Sequence, residues 1–196
     1  MPLKNSPLAV LGFLYHLVGP RAVLLPIAFG RELPNWPNWQ KTTLRESTES
    51  AFQHRLLRAI EAGGNISALL GPTGGNVCVI EITFAEQLEI FLSLNPWTRE
   101  TFWTKDAHGC QIWTRITGDY HPTRINSKTQ NKRHPIAKWR GGGGDQCLLY
   151  GEDPNGRRIQ RIAPQLAKLV TFSNIVWPRD WQILFGEESA EGRRAN

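Results

Sequence analysis

The 196-residue chain is predicted to adopt an α+β fold with a central sheet. Two observations carry this. Short strand-like apolar runs at 21–30, 75–84 and 146–150 are interleaved with runs whose apolar residues recur at helical spacing, with no internal repeat. Gly, Pro and Asn punctuate the boundaries, as in "GPTGGN" and "EDPNG".

Taken in order, residues 8–18 predict a short helix, and "RAVLLPIAFG" a strand that ends at Gly30. "RELPNWPNWQKTT" is a loop, rich in Pro and Asn and anchored by two Trp. A helix runs from Ser47 through Phe52, Leu56, Leu57 and Ile60 to the stop at Gly63-Gly64. "NISALLGPTGGNVCVIEIT" gives a strand, a Gly/Pro turn and a second strand; "AEQLEIFLSLN" is the next helix, closed by Asn95-Pro96. Residues 101–118 read as two strands around a polar turn at Asp106–Gly109. The stretch from Tyr120 to His134 is nearly devoid of apolar residues and reads as a mobile loop or arm. A glycine tetrad, a strand at 146–150, a turn at Asp153–Gly156 and a last helix at 164–172 follow. The whole reads as a single domain over 1–186, compatible with two lobes at about 1–75 and 76–186, with a disordered tail at 187–196.

The composition, 40% hydrophobic and 20% charged, is that of a folded soluble chain, and no apolar run reaches the ~20 residues that span a bilayer. The N-terminal apolar run is broken by His16, Gly19, Pro20 and Arg21 and lacks a basic leader, which argues against a signal peptide. Cys78, Cys110 and Cys147 are odd in number and lie in or beside strand-like segments, so they read as reduced thiols of a cytoplasmic protein without a zinc site. The net charge is +6. From Arg115 to Arg140 seven basic residues face one acid, Asp119, which suits a polyanionic partner.

In "GNVCVIEITF", side chains two apart share a face of the strand, so Val77, Val79, Glu81 and Thr83 line one side and Cys78, Ile80 and Ile82 the other. A carboxylate at the end of a buried strand is costly unless a cation or a donor meets it. Glu81 therefore suits either a strand-end acid paired with a base or one ligand of a metal site.

Four signals in order resemble the primase–polymerase (prim-pol) domain of the archaeo-eukaryotic primase superfamily, found in plasmid and phage replication proteins. They are "LLPIAFGRELPNWPNWQ", "GGNISALLGPTGGNVCVIEIT", "HGCQIWTRI" and "AKWRGGGGDQCLLYGEDPNG", together spanning about 21–160. The resemblance implies an antiparallel-rich central sheet with helices packed on it. It also implies nucleotidyl transfer with two divalent ions, Mg²⁺ or Mn²⁺, held by carboxylates. On this chain the usual acid-x-acid pair falls on Glu81 and Thr83, the usual His on Gln111, and a later acid on Lys138. The pattern is that of an eroded site, in which Lys138 would neutralise Glu81.

The expected function is accordingly a degenerate prim-pol-like replication module that binds DNA or nucleotides, with weak or no catalysis, beside a separate helicase or other replication protein and with no membrane. Arg115, Arg124, Lys132, Arg133, Lys138 and Arg140 would contact phosphates. One alternative is an active DNA primase/polymerase with a rebuilt site: Glu81, His108 and Asp145 would be catalytic, and Glu81 and Asp106 would hold Mg²⁺ or Mn²⁺. Another is a non-catalytic protein-interaction scaffold. Each residue also has a plainer reading. His108, Asp106 and Asp145 suit solvated turns, Gly141–Gly144 suit a flexible hairpin rather than a phosphate cradle, and most of the eight Trp suit the core, with Trp36, Trp39 and Trp139 the candidates for stacking bases.

Overall fold

The computed structural model describes residues 6–31, 33–106, 109–118, 123–127, 136–142, 144–153, 155–163 and 165–185, with 106, 123–127, 163 and 182–185 described by backbone alone. Helix α1 (Pro7–Val18) starts at Ser6, whose hydroxyl accepts the Ala9 N–H. Strand β1 (Leu24–Ile27) is shorter than the expected run and contains Pro26, tolerable because β1 is an edge strand. The next helix begins earlier than Ser47. Thr43 and Glu46 form a capping box that opens α2 (Leu44–Thr48), and an extended Glu49 separates it from α3 (Ser50–Glu61).

Strands β2 (Asn65–Leu69) and β3 (Val77–Ile82), helix α4 (Ala85–Leu94), and strands β4 (Trp103–Asp106) and β5 (Gly109–Thr117) follow as the sequence predicts. The basic stretch is not wholly a loop: β6 (Thr123–Ser127) pairs antiparallel with the last strand, and 119–122 and 128–135 lie outside the described residues. Then come β7 (Ala137–Arg140), β8 (Gln146–Tyr150), β9 (Gln160–Ala163), β10 (Lys168–Thr171) and β11 (Trp181–Phe185).

The expected helix at 164–172 is corrected to strand β10, which runs parallel to β5, followed by a 3₁₀ turn at Phe172–Asn174. The reason is tertiary. The buried Thr101 hydroxyl donates to Trp113 O and accepts the Lys168 N–H at 2.8 Å, and Thr114 Oγ1 donates to Lys168 O at 2.7 Å, so the segment is held extended against β5. β4 covers only the first half of β5 and leaves the second half open to receive it.

One antiparallel sheet has the order β1-β2-β8; the larger one runs β7-β3-β5-β4-β9, with β10 beside β5. The mixed α+β class and the antiparallel character are therefore those expected. β3 is covered on both faces. Val77 and Val79 join a core with Leu14, Leu17, Leu24, Leu56 and Trp113, while Cys78, Ile80 and Ile82 join one with Phe91, Trp139 and Trp181. The two-residue alternation is thus realised, and all three cysteines are buried and not joined in disulfides.

Candidate functional site

Strand register builds the site. Glu81 is paired with Gln111 of β5 on one side and Lys138 of β7 on the other, and Gln111 is paired with Thr104 of β4. Cross-strand partners share a face, so Thr104, Gln111, Glu81 and Lys138 form a polar row across four strands. The positions that the prim-pol resemblance assigns to its first acid, its His and its later acid fall together in this row.

Glu81 is 6% exposed, so its charge must be met within the protein. Lys138 Nζ lies 3.5 Å from Oε1 and Arg140 Nη1 3.5 Å from Oε2. Arg140, one row along beside Val79, makes a bidentate pair with Asp145: Nε donates to Oδ2 at 3.0 Å and Nη2 to Oδ1 at 2.8 Å. Nη2 also donates to Gln146 O, and Asp145 Oδ1 accepts the Gln146 N–H at 2.8 Å. Burial alone would lower the Arg140 pKa, but the bonds to Asp145 and the negative field of Asp145 and Glu81 outweigh it and raise it above the ordinary guanidinium range. On the other flank Trp113 Nε1 donates to Thr104 Oγ1 at 2.8 Å, and Thr104 Oγ1 donates to Gln111 Oε1 at 2.7 Å.

Glu81 and Asp145, separated by sixty-odd positions in sequence, thus flank one guanidinium. The described residues do not suit the two divalent ions that the resemblance implies. Both oxygens of the buried carboxylate face cations, and the second carboxylate is engaged by the same arginine. Among the described residues no three His, Cys, Asp or Glu side chains converge.

The other sequence candidates are placed as follows. Asp106 pairs with Gly109 where β4 passes into β5, and its side chain is not described. His108, Lys132 and Arg133 lie outside the described residues, and Arg124 is placed by its backbone alone in β6. Arg115 lies four residues along β5 from Gln111, about 13 Å from the Glu81 row. Trp39 and Trp139 are buried at 8% and 6% exposure and offer no open face for a base, whereas Trp36 is half-buried with the Arg55 guanidinium 4.3 Å from its ring centre. Gly141 is buried rather than an open turn: a Cβ there would lie 2.7 Å from Trp139 Nε1 and 2.9 Å from Cys78 Sγ.

Sequence reading paired Lys138 with Glu81 but missed the Arg140–Asp145 fork. The signal was the spacing in "RGGGGD", in which a glycine turn can bring the flanking charges face to face. No protein-family model matches this chain, and no curated protein matches it.

Proposed function

We propose that this protein is a prim-pol-like module of a replication system that binds DNA or nucleotides and in which the catalytic site is reduced to a charge-compensated cluster. The observation that carries it is the register Gln111–Glu81–Lys138, with Arg140 on the second oxygen of Glu81. Where the resemblance calls for metal-holding carboxylates, Lys138 and Arg140 supply the positive charge. Lys138 keeps 54% of its side chain exposed, so its ammonium can also meet a phosphate at the surface of the sheet. The excess of basic residues between Arg115 and Arg140 supports the same polyanionic partner.

One observation favours a second reading: Glu81 and Asp145 stand on either side of a single arginine, so a shift of Arg140 would leave two carboxylates facing one space. Primer extension with Mn²⁺, deoxynucleotides and a labelled template, alongside fluorescence anisotropy of labelled DNA, tests both. Salt-sensitive DNA binding without extension is the expected result. Extension that disappears in Glu81→Gln establishes the nucleotidyltransferase instead, and absence of salt-sensitive binding leaves a protein-interaction scaffold.

A further inference from the structure

At the opposite end of β5 from the Glu81 row, one face of α1 opens into a cleft of about 390 Å³ lined by Gly12, Tyr15, His16, Gly19, Arg115 and Leu166. Gly12, His16 and Gly19 recur at helical spacing, and the two glycines keep this face low. Arg115 is paired with Val77 on one side and Leu169 on the other, and its Nε donates to Ala167 O at 3.0 Å. Among the described residues its two terminal nitrogens have no acceptor and no carboxylate lines the cleft. Gly19 has φ +100°, and a Cβ there would lie 2.9 Å from Arg115 Nη1, so the chain needs glycine both for its backbone and for the guanidinium.

We infer that this cleft is a phosphate site, separate from the Glu81 cluster, in which Arg115, His16 and Tyr15 hold the phosphoryl oxygens. Arg115, His16 and Tyr15 line one space and between them carry a guanidinium, an imidazole and a phenol. That set suits an anion with three or more acceptor oxygens better than a planar carboxylate with two. Tyr15 Oη accepts from Gln53 Nε2 at 3.0 Å, which leaves its own proton to donate; burial raises its pKa, against the opposing bond from Gln53, and so keeps that proton in place. The C-terminal end of α1 carries negative partial charge, but Tyr15 O already accepts the Gly19 N–H and Leu17 O the Ala167 N–H.

Calorimetric titration of the full chain with inorganic phosphate, and with acetate for comparison, tests the site. Saturable phosphate binding is expected. Arg115→Lys, which keeps the charge and loses the fork, should weaken it about tenfold. Gly12→Leu should abolish it with no fall in Tm: nothing lies within 4 Å of a Cβ at Gly12, so the side chain fills the cleft, and leucine favours the helix. Lys138→Gln should leave it unchanged, which separates this site from the Glu81 cluster. Absence of saturable phosphate binding, equal binding in Gly12→Leu and wild type, or acetate binding as tight as phosphate would each overturn the inference.

Discussion

Arg140 is a single side chain that answers two carboxylates and a carbonyl, and its neighbours differ sharply in how much they depend on it. Arg140→Leu leaves Glu81 buried beside one half-exposed lysine and Asp145 without its fork, so urea denaturation should show a loss of about 3–5 kcal/mol. Lys138→Gln, at a side chain that is mostly in water, should cost no more than ~1 kcal/mol by the same measurement. The order of these two values is the sharper test: a larger loss for Lys138 would mean that it, and not Arg140, balances Glu81. The Glu81–Lys138 pairing was legible through the prim-pol resemblance, which sets a later motif position on Lys138; alternation placed Glu81 on the Val77–Val79 face, but the β3–β7 register is recorded only in the fold. The Arg140–Asp145 fork was not, because it depends on the path of the glycine turn. Glycine adopts many conformations, and its pattern does not say which.

Among the elements, those with a strong local period and a local stop were legible: α1, the end of α3, α4 and the β4–β5 hairpin. Those fixed by a distant partner were not. β10 is strand because Thr101 and Thr114 grip its first residue, and nothing within residues 164–172 records that. Thr101→Val keeps the shape and removes the hydroxyl's contacts with Trp113 O, Leu166 O and the Lys168 N–H. It should cost about 2 kcal/mol and speed hydrogen exchange selectively at Lys168–Thr171. The start of α2 offers a pH-dependent counterpart. The N–H and hydroxyl of Thr43 donate to Glu46, at 2.7 and 2.8 Å, and hold its carboxyl below the usual range. A group whose pKa falls on folding stabilises fully above its unfolded value and loses that contribution as pH drops through the folded one. Thr43→Ala should therefore lower Tm at neutral pH, and its difference from wild type should narrow as the solution is acidified through the carboxylate range.

The three-stranded sheet and the larger sheet are assembled from distant parts of the described chain. β8 completes the sheet begun by β1 and β2, and one core draws on Leu11, Val77, Phe102 and Cys147 alike. Two buried asparagines tie distant segments by mimicking a strand pair. Asn65 binds both the N–H and the C=O of Glu152, and Asn95 does the same to Val176. At this scale the positive charge of the molecule makes a prediction: the logarithm of DNA affinity should fall linearly with the logarithm of salt concentration, and Lys138→Gln should reduce the slope by about 0.7–0.9 if that lysine meets a phosphate. An unchanged slope would remove Lys138 from the interface. The late arrival of β8 has a further consequence during synthesis. A nascent chain that has emerged through β2 presents a bare backbone edge made of Ile66, Ser67, Ala68 and Leu69 until Gln146–Tyr150 leaves the ribosome to cover it. Across that interval the edge is open to pairing with another chain, so slowing translation between the two strands should increase aggregation.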